Sequence, residues 1–168
     1  MGQKALRIQL LILDVDGVLT GGEIILGSQG IELKAFNTRD GMAIAMARQA
    51  GLRVAIITGR VSEAVAVRAS ELGVKDLFQG RMDKMEAYES LLKRYQLTDQ
   101  QVAFVGDDLL DLPIMKRAGL KVAVANASGE LKAMADYVTL ASGGQGAVRE
   151  VVELLLGWKD RGKSVPIE

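Results

Sequence analysis

The 168-residue sequence contains no cysteine and no histidine. The first absence excludes a disulfide framework, a thiolate nucleophile and a cysteine metal site. The second excludes, within one chain, a Ser-His-Asp triad, a phosphohistidine mechanism and histidine-ligated zinc. Catalysis by this chain would therefore depend on carboxylates, lysine, arginine, hydroxyl groups and an oxygen-ligated metal.

An excess of charge of either sign is also missing, because 21 basic side chains balance 21 acidic ones. This balance gives no reason to expect nucleic acid or a membrane surface as a partner. Lys4 and Arg7 precede an apolar run that Asp14 and Asp16 interrupt. The run is too short for a secretory signal or a membrane span, so we expect a cytoplasmic protein.

Apolar runs and helical patterns alternate along most of the chain, whose length suits one domain over residues 1–168. We predict helices over 42–49, 62–72, 84–95, 109–118, 128–135 and 147–158, and strands over 10–15, 53–57, 102–105, 121–124 and 137–140. The alternation is typical of βαβ units and predicts an α/β fold with a three-layer, Rossmann-like parallel sheet. Residues 159–168 are polar, and we expect a loose tail there.

The segment 23–36 has a different pattern. Apolar and charged residues alternate over 31–35, after a glycine-rich turn at 27–30. This pattern predicts a β-hairpin with one apolar and one polar face.

Polar residues follow several predicted strands, where ligands of open parallel sheets bind. Carboxylates that converge at one sheet edge repel one another unless they hold a cation. Oxygen ligands favour magnesium, which usually serves phosphate chemistry. A carboxylate can itself be the nucleophile, while a lysine and a hydroxyl group hold phosphoryl oxygens. The candidates are Asp14, Asp16, Thr58, Arg60, Lys84, Asp107, Asp108 and Asp111.

A purely structural role stays open for most of these residues. Asp14 is the exception, since a buried and unpaired carboxylate inside an apolar run costs several kcal/mol. The structural roles are a turn at Asp16 or Thr58, a helix cap at Asp107 or Asp108, a helix-dipole partner at Asp111 and a solvated lysine at Lys84.

Four segments, in order, resemble the motifs of the haloacid dehalogenase superfamily. They are residues 14–20 (DVDGVLT), 57–60 (ITGR), Lys84 and 106–111 (GDDLLD). Residues 34–41 (KAFNTRDG) and 143–150 (GGQGAVRE) are similar to the capless branch that includes the 3-deoxy-D-manno-octulosonate 8-phosphate (KDO 8-phosphate) phosphatases. The resemblance covers about residues 8–156 and implies a hairpin flap and no cap domain.

The resemblance also implies roles for individual residues. Asp14 would be the nucleophile and a magnesium ligand, and Asp16 the acid and base, with its backbone carbonyl on the ion. Thr58 and Lys84 would hold the phosphoryl group. Asp107 would be a magnesium ligand that Asp108 and Asp111 support. The positions that would contact substrate are Asp16, Asn37, Thr38, Arg39, Asp40, Gly41, Arg60, Arg68 and Lys84.

The resemblance implies that the chain would be a magnesium-dependent phosphomonoester hydrolase of lipopolysaccharide biosynthesis. It would act on KDO 8-phosphate as a homotetramer assembled through the hairpins, with a neighbour's carboxyl-terminal segment closing the site. Ala45 stands where relatives from enteric bacteria carry arginine, which leaves another sugar phosphate, such as a nine-carbon ulosonate 9-phosphate, open. Two non-enzymatic alternatives are an oligomerisation module and a receiver-like signalling domain. A receiver-like domain does not need an acid two residues after its phosphorylated aspartate, so Asp16 distinguishes the two classes.

Overall fold

The computed structural model describes residues 2–163, and the side chains of residues 2–157. The strands are β1 Leu10–Leu13, β2 Ile25–Leu26, β3 Glu32–Leu33, β4 Arg53–Ile57, β5 Asp76–Phe78, β6 Val102–Gly106, β7 Leu120–Ala123 and β8 Tyr137–Val138. The α-helices are α1 Gly2–Arg7, α2 Thr38–Gln49, α3 Glu63–Glu71, α4 Met85–Tyr95, α5 Leu112–Arg117, α6 Gly129–Met134 and α7 Ala147–Lys163. Single 3-10 turns lie at Ser28–Gly30, Asp99–Gln101 and Leu109–Asp111.

Six of the strands form one parallel sheet in the order β5-β4-β1-β6-β7-β8. The central strand β1 is buried along its whole length, as expected when helices cover both faces of a parallel sheet. Helices α1, α2 and α7 pack together, and α5 packs against α4 and α6. This three-layer α/β architecture confirms the predicted fold class.

The predicted hairpin is present, although each of its strands has only two residues. β2 and β3 pair antiparallel, and the amide of Gly27 donates to the carbonyl of Ile31 at 2.8 Å. The apolar side chains of the hairpin face outward: Ile24, Ile25, Leu26, Ile31 and Leu33 are each 44–69% exposed.

Several boundaries differ from the prediction for local physical reasons. β1 ends at Leu13 because the carbonyl of Val15 already accepts amides of a tight turn, from residues 18 to 20. α2 starts at Thr38 because the side chain of Asn37 accepts the amide of Arg39 and caps the helix. The expected helix over 109–118 begins as a 3-10 turn before α5.

The two ends of the chain also differ from the prediction. Helix α1 was not predicted. Helix α7 continues to Lys163, so residues 159–163 are helical rather than loose, and residues 164–168 lie outside the described residues. Among the helices of residues 2–163, none combines the length and the apolar content needed to cross a bilayer. The single domain over residues 1–168 stays a prediction.

Candidate active site

The carboxyl ends of three neighbouring strands open into one cavity of about 310 Å³. Asp14 follows β1, Thr58 follows β4 and Asp107 follows β6, so the strand order β4-β1-β6 brings the three residues together. The cavity is lined by Asp14, Asp16, Gly22, Thr58, Gly59, Arg60, Met82, Lys84, Asp107, Asp108, Leu110 and Asp111. All eight candidate residues that were expected at this edge of the sheet therefore lie in the same cavity.

Three carboxylates form the acidic cluster of the site: Asp14, Asp107 and Asp111. They offer oxygen atoms that all lie within 4.8 Å of one another. Burial, reinforced by repulsion from Asp111, raises the pKa of Asp14 to about 6. Burial and the charge of Asp14 raise the pKa of Asp107 to about 8. A bound cation would act in the opposite direction, and this donor set of carboxylate oxygens fits magnesium.

Lys84 neutralises part of this cluster. It is 3% exposed, and its Nζ lies 2.9 Å from Asp14 Oδ1 and 2.7 Å from Asp111 Oδ1. Burial opposes the charge of Lys84, but the two carboxylates outweigh that effect and raise its pKa. Lys84 therefore stays an ammonium group, directed at Asp14 and Asp111 rather than at solvent.

The loop after β6 is shaped around Asp111. The carboxylate of Asp111 accepts the backbone amide of Asp107 at 2.9 Å. Asp108 is exposed, and its Oδ1 accepts the amide of Leu109 at 2.8 Å. Asp108 thus caps the 3-10 turn and lies outside the acidic cluster, which is the structural role that its sequence position suggests. Its support of a magnesium ion stays a prediction.

Glycine is required where the loop that carries Asp14 and Asp16 meets the loop after β6. Gly17 has φ +88°, and a Cβ there would lie 2.0 Å from Asp107 Oδ2. Asp107 can therefore lie against the loop that carries Asp14 and Asp16 only if residue 17 has no side chain.

Other predicted substrate contacts lie apart from this cavity. Asn37, Asp40, Gly41 and Arg68 line a second, small cavity between the start of α2 and helix α3. Asp40 is 1% exposed, and its carboxylate accepts the amides of Gly146 and Arg149, which anchors the start of α7. The segment 37–41 is thus mainly the first turn of α2 rather than a loop.

The glycine-rich segment 143–146 lies against the loop that follows β1. The amide of Gly144 donates to the carbonyl of Val18 at 2.9 Å, and Asn37 Nδ2 donates to the carbonyl of Gly144 at 3.2 Å. Thr38 and Arg39 are exposed at the start of α2. Substrate contacts by residues 37–41 and Arg68 stay predictions.

Two charged residues near Asp16 were missed by the sequence reasoning. Lys34 and Glu32, on the polar face of the hairpin, form an ion-pair network with Asp16 and Arg60. The alternation over 31–35 already separated these charges from the apolar face, but it did not indicate what the charged face would meet.

Comparison with known proteins identifies the family. A model of haloacid dehalogenase-like hydrolases matches residues 62–151. A 3-deoxy-D-manno-octulosonate 8-phosphate phosphatase from Escherichia coli K12 is 52% identical over 153 residues, which are 91% of this chain and 81% of that protein. The chain belongs to the haloacid dehalogenase-like hydrolase family. The resemblance seen in its motifs is thereby confirmed.

Solved structures agree with this haloacid dehalogenase-like fold. A 3-deoxy-D-manno-octulosonate 8-phosphate phosphatase from Yersinia pestis has a TM-score of 0.93 and 49% identity, covering 97% of this chain and 88% of that chain. The enzyme from Moraxella catarrhalis, solved with magnesium, phosphate and KDO, has a TM-score of 0.93 and 42% identity, covering 97% and 94%. Like the fold class, the absence of a cap domain from residues 2–163 agrees with the expectation from sequence.

Proposed function

We propose that this protein is a magnesium-dependent phosphatase that converts KDO 8-phosphate into KDO and inorganic phosphate. One observation carries the chemistry: buried Asp14 lies against the Lys84 ammonium and inside the acidic cluster, while Asp16 stands two residues later in the same cavity. A buried carboxylate that faces both a cation and an ion site is suited to attack an anionic substrate.

In the first step, a carboxylate oxygen of Asp14 attacks phosphorus, and the bond from phosphorus to the sugar oxygen breaks. Asp16 gives its proton to that leaving oxygen, which departs as the sugar hydroxyl. The product is an aspartyl-phosphate on Asp14. Lys84 and Thr58 hold phosphoryl oxygens during the transfer, and both are almost fully buried at the base of the cavity.

In the second step, Asp16 works in reverse. Its carboxylate takes a proton from water as the water oxygen attacks phosphorus, and the bond to Asp14 breaks. Phosphate leaves, and both aspartates return to their initial states. Magnesium held by Asp14, Asp107 and Asp111 and by the backbone carbonyl of Asp16 would neutralise the phosphoryl charge so that anionic groups can approach.

The choice of substrate is supported by the relatives. The E. coli and Y. pestis proteins that match this chain over most of its length carry the name of a KDO 8-phosphate phosphatase. The M. catarrhalis structure holds magnesium, phosphate and KDO together. This substrate would place the enzyme in lipopolysaccharide-sugar synthesis and in the cytoplasm, which cell fractionation would test.

The exposed apolar face of the hairpin supports a homotetramer. Five large apolar side chains within residues 24–33 are open to solvent in the single chain. An apolar patch of this kind on a small domain is typical of an interface between proteins. We propose that copies of the hairpin pack together, and light scattering of the purified protein would measure the mass of the assembly.

The proposed reaction is tested by measuring phosphate release. KDO 8-phosphate would be compared with other sugar phosphates, including a nine-carbon ulosonate 9-phosphate, in magnesium and in EDTA. A strong magnesium-dependent preference for KDO 8-phosphate is expected. Preference for another sugar phosphate would support the proposed mechanism but assign a different substrate. No phosphate release from any of them would favour the oligomerisation module.

A further inference from the structure

The side chain of Asp16 is held by cations on two different elements. Lys34, just after β3, donates a hydrogen bond from Nζ to Asp16 Oδ1. Arg60, after β4, brings Nε to 3.8 Å from Asp16 Oδ2. Glu32 completes the network, because it lies 2.7 Å from Lys34 Nζ and 3.3 Å from Arg60 Nη2. Each carboxylate oxygen of Asp16 thus faces one cation.

The two cations differ in their access to the cavity. The side chain of Arg60 is 45% exposed and lines the cavity, so it can meet a ligand. The side chain of Lys34 is 1% exposed, between Asp16 and Glu32, and it does not line the cavity. Lys34 can therefore affect the reaction only through the Asp16 carboxylate, to which it donates a hydrogen bond.

We infer that Lys34, fixed by Glu32, is a positioning residue that holds the Asp16 carboxylate in the orientation for proton transfer. The inference rests on the acid and base role proposed for Asp16. It assigns the polar face of the hairpin a part in the chemistry, separate from the assembly role of the apolar face.

The physical reason lies in the freedom of Asp16. Its side chain is 22% exposed at the cavity, so without a fixed partner the carboxylate could rotate towards solvent. Removal of the Lys34 charge would also leave Glu32 near Asp16 with only Arg60 between them, and like charges repel. Misplacement of a catalytic group by about 1 Å can cost about 100-fold in rate.

The test compares two substrates that differ in their need for an acid. The sugar alkoxide of KDO 8-phosphate needs a proton to leave, whereas p-nitrophenolate leaves as a stable anion. We define the leaving-group ratio as kcat/KM for KDO 8-phosphate divided by kcat/KM for p-nitrophenyl phosphate, because kcat/KM reports the steps up to departure of the leaving group and leaves out the shared hydrolysis of the aspartyl-phosphate. Asp16→Asn is expected to lower this ratio by about 100-fold or more, the usual contribution of acid–base catalysis.

Lys34→Met is expected to lower the same ratio by about 10- to 100-fold, because it removes the charge and keeps a side chain of similar length. In the Asp16→Asn background, adding Lys34→Met should change the ratio by less than about twofold, since its target is already lost. Lys4→Met is the matched control. Lys4 Nζ lies 2.6 Å from Asp136 Oδ1 in an exposed pair outside the cavity, so the ratio should hold.

Two results would overturn the inference and leave the proposed function standing. In one, Lys34→Met lowers kcat/KM for both substrates equally. In the other, Lys34→Met lowers the ratio further when Asp16 is already Asn. An unchanged ratio in Asp16→Asn would instead refute the acid and base role itself, and the inference with it. If Lys34→Met does not fold, Glu32→Gln carries the same test, because it removes the charge that fixes Lys34.

Discussion

In the absence of magnesium, the free energy of unfolding of this protein should fall as pH rises. The pKa of Asp14 is raised from 3.8 to about 6 in the folded chain, so the folded state binds this proton more tightly than the unfolded state does. A group of this kind contributes most stability at low pH and loses it as pH rises through the folded pKa. The raised pKa of Asp107, about 8, extends the loss to higher pH.

The size of the effect follows from the shift of Asp14. A rise from 3.8 to about 6 corresponds to about 3 kcal/mol in total, at about 1.36 kcal/mol per pKa unit. Because the folded pKa lies about one unit above pH 5, about 1.4 kcal/mol of that total is lost between about pH 5 and pH 8. Asp107 acts in the same direction, so the measured loss should be at least that large.

Urea denaturation of the protein in EDTA at about pH 5 and pH 8 would measure this difference in the free energy of unfolding. With saturating magnesium the loss should disappear, because binding to the ionised carboxylates stabilises the folded state more at high pH. Asp107→Asn should reduce the pH dependence in EDTA. Equal or greater stability in EDTA at the higher pH would show that the acidic cluster is not held as we describe.

Three further changes test other parts of the site. Asp14→Asn should abolish phosphate release from KDO 8-phosphate without unfolding the chain; substantial turnover would contradict its role as nucleophile. Ile31→Asp combined with Leu33→Asp should break the proposed tetramer, as measured by light scattering, and reduce activity, since the two changes place charge on the apolar face. Gly17→Ala would bring a Cβ to 2.0 Å from a carboxylate oxygen of the acidic cluster, and should raise the magnesium concentration for half-maximal activity about tenfold or more. Gly30→Ala is its control, at φ +77° with no atom within 4 Å, and the same response from both would make strain alone the cause.

The residues of the site that follow strands could be predicted from sequence, because chain direction and burial determine where they lie. Asp14 and Asp107 each end an apolar run, and parallel strands deliver their carboxyl ends to one edge. The strand β4 was predicted with its observed bounds for the same reason, since its apolar residues form one continuous buried run.

Contacts between distant elements could not be predicted in this way. Lys34 meets Asp16 only because the hairpin folds back over the cavity, and alternation within a hairpin does not say what its charged face touches. Strand β5 was missed because Asp76 breaks its apolar pattern. In the structure, Arg94 and Tyr95 donate to that carboxylate, so a partner from α4 makes the charge tolerable.

The central place of β1 in the sheet has a consequence for how the protein is made. Strand β1 and Asp14 leave the ribosome before the flanking strand β6 and before the loop that carries Asp107 and Asp111. A nascent chain that has not reached Asp107 therefore carries the proposed nucleophile without two of the carboxylates proposed to hold the ion. The proposed hydrolysis would therefore begin only after the sheet has closed around its first strand.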